Sequence, residues 1–149
     1  MKKIIFLLAI ISFSTFSYGQ MKDPVRWSFS AKKISDKTYE IHLNASMDQG
    51  WHIYSQTTPD GGPIPTTVNF LKNPLVTMNG NAKESGKLEE RYEPLFGVNV
   101  KQFSDKVVFI QTVVLKVNAK TALNGTVEFM ACNDKECLPP KTVKFSVNL

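Results

Sequence analysis

The sequence predicts an all-β chain folded as an antiparallel β-sandwich, with a closed barrel as the fallback. Three observations carry that expectation. Apolar and polar residues alternate with period two in several runs. Gly, Pro, Asn and Asp clusters separate those runs at short intervals. No stretch shows the 3.6-residue periodicity of an amphipathic helix. About seven to nine short strands are expected.

The first run sets Val25, Trp27, Phe29 and Ala31 against Arg26, Ser28, Ser30 and Lys32, which is a half-buried strand. Ser35-Asp36-Lys37 is a turn. Tyr39, Ile41, Leu43, Ala45 and Met47 form a second strand with one wet face. Asp48-Gln49-Gly50 turns the chain into a third, short strand over 51–55, which carries Trp51, Ile53 and Tyr54. Residues 57–65 hold three prolines and two glycines and are read as a connecting loop. Short strands are expected over 66–71 and 75–78, divided by Asn73-Pro74, with a turn at Asn79-Gly80-Asn81. Residues 83–103 are ambiguous: charged first, then carrying Tyr92, Leu95, Phe96 and Phe103. The strongest strand covers 107–117; it is β-branched and apolar on both faces over 107–114, as a central strand would be. Asn124-Gly125 is read as another turn. Val127 and Phe129 lead into Cys132, and Val143, Phe145, Val147 and Leu149 alternate to the end.

The first residues have the pattern of a secretory signal. Lys2 and Lys3 supply positive charge, Ile4 to Ile11 an apolar run, and Ser17-Tyr18-Gly19 small residues at a cleavage site after Gly19. A retained anchor is the alternative, but the apolar run is short for a membrane span. Residues 1–19 are therefore expected to leave, and 20–149 to form a single domain long enough to bury a core without cross-links. The formal charge of +5 falls to about +3 without the two leader lysines. The remaining charges are interspersed, so no nucleic-acid or membrane patch is expected. Export to the periplasm or beyond places the chain where two cysteines can pair.

Those two cysteines bracket Cys132-Asn133-Asp134-Lys135-Glu136-Cys137 and precede Leu138-Pro139-Pro140. Four chemistries are open to them. A structural staple closing so short a loop gains only about 2 kcal/mol, less than a long loop would. A zinc site needs two further ligands, and only His42 and His52 exist, neither at ligand spacing. Copper lacks a Met or His cluster. Hydrolysis by one cysteine lacks an evident Cys–His–Asn arrangement. A redox dithiol needs one accessible sulfur and a neighbour to resolve the mixed disulfide, and a tight hairpin tip supplies both. The nearby charges of Asp134, Glu136, Lys135 and Lys141 roughly cancel, so no strongly depressed thiolate pKa is inferred. No metal and no cofactor is expected.

Three motifs in order resemble the N-terminal periplasmic domain of the thiol:disulfide interchange protein DsbD: Gly50-Trp51-His52-Ile53-Tyr54-Ser55, Leu95-Phe96-Gly97, and the cysteine pair followed by Pro139-Pro140. The resemblance covers nearly all of 25–149. It implies an immunoglobulin-like sandwich with a redox pair at one end. In that family the pair takes electrons from a membrane-embedded domain and hands them to exported thiol–disulfide proteins, and a short loop with an aromatic tip covers the sulfurs. By this resemblance Cys132 and Cys137 are the redox pair, with Cys137 meeting partners. Glu93, Leu95, Phe96 and Gly97 are the shielding loop, in which either Leu95 or Phe96 is the shield; Tyr54 and Pro139 are neighbours of the active end.

Three departures stand out. Four residues rather than five separate the cysteines, Glu136 replaces an aromatic before the second, and Leu138 replaces one before the prolines. No membrane-spanning or thioredoxin-like part is expected after Leu149, so a separate membrane thiol reductase is the expected electron source. Exported thioredoxin-like or disulfide isomerase proteins are the expected clients of a monomer. The competing expectation is a non-enzymatic secreted β-sandwich binding module with a passive hairpin disulfide. For Trp51 the expected place is the sandwich core. Tyr54 is placed either in the core or near a thiolate that its phenol would hydrogen-bond, and Phe96 either packs inward or covers a surface.

Overall fold

The computed structural model describes residues 22–94 and 96–149, and the signal-like segment 1–19 lies outside them. Nine strands follow in order: β1 (Val25–Lys33), β2 (Thr38–Met47), β3 (His52–Tyr54), β4 (Thr67–Phe70), β5 (Val76–Glu93), β6 (Val98–Leu115), β7 (Ala122–Phe129), β8 (Ala131–Cys132) and β9 (Lys141–Asn148). Every pairing between them is antiparallel. A six-stranded sheet runs β1-β2-β6-β3-β8, with β5 also on β6; a three-stranded sheet runs β4-β7-β9. The expected immunoglobulin-like sandwich is therefore present.

The core lies between the sheets, and the period-two pattern explains why. Ile41, Leu43, Ala45 and Met47 of β2 turn inward with Phe103, Val107, Phe109 and Val113 of β6, opposite Leu123, Val127, Phe129, Phe145 and Val147. Aromatic rings join the layers: Trp27 lies 5.4 Å from Phe129 and Phe29 lies 5.2 Å from Phe145, centroid to centroid. Burial of each such side chain stabilises the fold by roughly 1.5–3 kcal/mol. Trp51 packs half-buried against this cluster, as expected.

Strand β6 is central, as its apolar run predicts, but longer than expected at its first end and shorter at its last. Along one edge it carries β5. Along the other it pairs first with β3, through residues 102–104, and then with β2, through residues 106–114. The switch falls at Asp105, whose φ of 62° is left-handed. Opposite it, the β5 register jumps between Gly86 and Leu88. A Cβ on Gly86 would lie 3.0 Å from the Lys106 carbonyl oxygen, so the absence of a side chain lets the two strands close over this bulge.

The ambiguous stretch 83–103 is a hairpin made by the end of β5 and the start of β6. Two expected turns are strand instead. Asn79-Gly80-Asn81 is a bulge within β5: Asn79 faces Thr112 and Lys83 faces Ile110, so the extra residues loop out without reversing the chain. Gly80 does take a positive φ of 69°. The Gln111 side-chain amide donates to the freed carbonyls of Asn79 (3.3 Å) and Gly80 (3.2 Å) and to Thr112 (2.8 Å). Asn124-Gly125 lies inside β7, paired with β4 and β9. Here glycine serves close approach rather than reversal: a Cβ would lie 2.4 Å from both the Asn69 carbonyl oxygen and Phe145 Cζ.

Two outcomes are expected in urea unfolding. Gly125→Ala is expected to lower stability by about 1–3 kcal/mol through overpacking, and Gln111→Ala by about 1–3 kcal/mol by leaving bulge carbonyls unpaired. Unchanged midpoints would contradict the roles given to these residues.

Candidate functional site: the outer face of the large sheet at the cysteine hairpin

The two cysteines form a disulfide across a hairpin tip, with Cα atoms 4.1 Å apart. The local sequence makes that tip. The Asn133 side-chain oxygen accepts hydrogen bonds from the backbone N–H of Lys135 (2.8 Å) and Glu136 (2.9 Å). The Asn133 N–H donates to the Glu136 carbonyl, and the Leu138 N–H donates to that of Ala131. Asparagine thus replaces backbone ladder bonds with a side-chain turn. Pro139 and Pro140, which have no N–H to donate, lead the chain out.

Alternation decides which face of the sheet the sulfurs occupy. In β3 and β8, Ile53 and Ala131 are paired and face the core, so the pair His52 and Cys132 faces away from it. Tyr54 is opposite Gln102, and Val100 lies two residues from Gln102 on the same face. A second apolar cluster forms there from Tyr54, Val100 and Cys132, with Val98, Met130 and Cys137 packed against it. The two sulfurs are not equivalent: Cys132 is 1% exposed, whereas Cys137 is only half-buried.

Polar groups surround this cluster. The Tyr54 hydroxyl and His52 Nε2 are 3.2 Å apart, with their rings edge to face. Burial pushes the Tyr54 phenol up to about 12; the charge of Glu93 adds to the rise and that of Arg91 opposes it. Burial lowers the His52 imidazole below its ordinary range. Arg91 adds to that shift, while Glu93, Asp134 and Glu89 oppose it. Arg91 reaches from β5 to Asp134 on the cysteine loop at 3.0 Å. This pair is exposed and adds little stability, but it links the β5–β6 hairpin to the loop. Gln102 Oε1 is buried on the same face without a partner among the described residues.

The sequence-predicted residues divide as follows. Cys132, Cys137 and Tyr54 come together. Glu93 is 9% exposed at the turn of the β5–β6 hairpin, where its carbonyl accepts from the N–H of Phe96 and Gly97. Gly97 closes the turn with a φ of 70°. Leu95 lies outside the described residues. Phe96 is half-buried, but the apolar side chains packed on the cysteine cluster are Val98 and Met130. Pro139 is exposed and lines an apolar groove of about 490 Å³ with Phe129, Ala131, Leu138, Pro140 and Pro24. Lys22 with Glu136, and Lys141 with Asp23, form ion pairs at its margin.

Two parts of the site escaped the sequence reading. His52 looked isolated because Cys132 is far away in the chain; the signal was that His52 and Tyr54 alternate with Ile53 and so share a face. The loop 57–65, read as a connection with a binding loop as the alternative, lies against the site. Gly62 leaves room for Val98, and the Thr58 hydroxyl donates to the Lys101 carbonyl at 2.7 Å. Among the described residues no group of three or more His, Cys, Asp or Glu is placed to hold a metal ion.

The fold has relatives. The chain is similar to the crystal structure of the Neisseria meningitidis DsbD N-terminal domain in the reduced form, at 14% identity and a TM-score of 0.55, covering 80% of this chain and 82% of that one. It is similar to the N-terminal periplasmic domain of ScsB from Proteus mirabilis, at 18% identity and a TM-score of 0.53, covering 88% of this chain and 49% of that one. A third likeness is to the complex between the DsbD N-terminal and PilB N-terminal domains from Neisseria meningitidis, at 13% identity and a TM-score of 0.54, covering 85% and 87%. A search of curated sequences finds no match. The family model described as thiol:disulfide interchange protein DsbD, N-terminal, matches residues 21–149, and the chain belongs to that family.

Proposed function

We propose that this chain is an exported thiol–disulfide exchange protein that relays electron pairs through Cys132 and Cys137, from a separate membrane thiol reductase to periplasmic thioredoxin-like or isomerase-type partners. The observation that carries the proposal is the unequal burial of the two sulfurs in a disulfide at a hairpin tip. Exchange needs one sulfur that a foreign thiolate can reach and a second held in reserve. Cys137 is suited to the first task and Cys132 to the second. Partner thiolate attack on Cys137 Sγ forms the mixed disulfide, and the electron pair of the broken bond passes to Cys132 Sγ. A second partner thiolate then attacks the mixed disulfide at the partner's own sulfur. That leaves both cysteines reduced and the partner oxidised; the reverse sequence delivers the two electrons onward.

Family membership supports this reading, as does the Neisseria DsbD N-terminal domain found in complex with a PilB N-terminal domain. The apolar groove beside Pro139 offers a partner a surface next to the reachable sulfur. Leu95 and Phe96, which fall in the sequence between β5 and β6, are proposed as the cover that limits stray exchange. Glu93 and Gly97 shape the turn.

Trapping tests the proposal. Cys132→Ser leaves the reachable sulfur without its resolving neighbour. It is expected to accumulate mixed disulfides with exported proteins on a non-reducing gel, at least tenfold more than Cys137→Ser. With export verified, no adduct from either variant would contradict the relay and leave a binding module with a passive disulfide. A second outcome concerns stability. Because closure of so short a loop contributes about 2 kcal/mol, the reduced protein is expected to remain folded and to lose about that much in urea unfolding. Global unfolding on reduction would contradict a working redox pair.

A further inference from the structure

We propose that His52 is the proton carrier of the buried sulfur: it takes the proton of the Cys132 thiol when that thiol closes the disulfide, and returns it when the disulfide opens. The proposal rests on the reading of Cys132–Cys137 as a pair that opens and closes.

The geometry supporting it lies in the register. His52 is directly opposite Cys132 on neighbouring antiparallel strands. Such residues share a face, with Cβ atoms about 4.5–5.5 Å apart. Both are shut away from water, His52 at 4% and Cys132 at 1% exposure. A buried sulfur cannot exchange its proton freely with solvent, so a neighbouring base has a task to do. The imidazole is held in place by the Tyr54 hydroxyl, 3.2 Å from its Nε2. Burial raises that phenol to about 12, so at neutral pH it is protonated and is a tether rather than a rival base.

The groups that act on His52 are Tyr54 on its own strand, Glu89, Arg91 and Glu93 from β5, Ser104 opposite it on β6, and Cys132 and Asp134 from the cysteine hairpin. Burial outweighs the carboxylates and lowers the imidazole from its ordinary 6.5. The sign matters: a lowered value leaves His52 neutral at neutral pH, free to accept a proton.

The closing step balances as follows. In the mixed disulfide, Cys137 Sγ is bonded to a partner sulfur and Cys132 is a thiol. His52 accepts the thiol proton. The Cys132 sulfur lone pair forms the bond to Cys137 Sγ. The bond from Cys137 to the partner breaks, and the partner leaves as a thiolate with that electron pair. The partner thiolate takes the proton from the imidazolium as it departs, and His52 is neutral again. Opening runs the same steps in reverse, and the imidazolium protonates the departing Cys132 thiolate.

The test needs no partner protein, so it stands apart from trapping. Cys137→Ser leaves Cys132 as the single thiol, and its thiolate absorbance is titrated with and without His52→Phe. With Cys132 a free thiol, its thiolate favours the imidazolium and the imidazolium favours the thiolate, so loss of the imidazole is expected to reduce the thiolate fraction at pH 8 at least threefold. His52→Gln, which retains hydrogen bonding but does not titrate, is expected not to restore it. Superimposable titrations would overturn the proposal. Should the His52 variants fail to fold, the His52 ring signal is titrated by NMR in Cys137→Ser and in Cys132→Ser/Cys137→Ser. A midpoint difference of at least about half a pH unit, with His42 unmoved, is expected; equal midpoints overturn the proposal. Failure of trapping with coupled titrations removes the relay but keeps the His–Cys pair. Uncoupled titrations with successful trapping do the reverse.

Discussion

One backbone event sets up the site: β6 changes partner at Asp105. Beyond it, β6 belongs to β2 and the main core; before it, to β3 and, through β3, to the cysteine hairpin. A straight β6 paired with β2 along its whole length would leave no ladder position for β3. Left-handed Asp105 and side-chain-free Gly86 on the opposing strand allow the switch. Its consequence is a second buried cluster, on the outer face of a sheet whose inner face already holds the core. Tyr54, Val100 and Cys132 are buried there, with Val98 and Met130 packed on them and Gly62 of the loop at 57–65 against Val98 and Val100.

This arrangement separates the chemistry from the stability. The main cluster of eighteen buried residues contains neither cysteine. The disulfide closes a loop with four residues between its ends, so its opening removes little constraint from the unfolded chain. A redox pair needs that independence: the sandwich must hold its shape in both states, or each electron transfer would cost the fold. The groups nearest the cysteines are local ones, the buried His52 and Tyr54 and the Arg91–Asp134 bridge between hairpin and loop.

Much of the fold was legible because alternation is a direct record of one buried face. β1, β2, β9 and the later half of β6 could be read that way. What misled was glycine and asparagine chemistry, which serves more than one end. Gly80 supplies a positive φ, but for a bulge; Gly125 supplies empty space for Phe145 and the Asn69 backbone. Neither purpose can be told from a turn without knowing what packs against it. At the candidate site, the resemblance led to an expectation that Tyr54 lies near the cysteines, and the structure places it in one cluster with them. His52 was not legible, because its relation to Cys132 exists only through the register of two very short strands, and register is a property of the pairing, not of either segment alone.

The most direct measurement of the central claim is the reduction potential of the Cys132–Cys137 couple, obtained by equilibrating the folded protein with glutathione or thioredoxin redox buffers. A pair that relays electrons among exported proteins is expected near the range of known oxidoreductases, between about −120 and −270 mV. A value well below about −300 mV, in the range of inert structural disulfides, would contradict the claim that this bond opens in service.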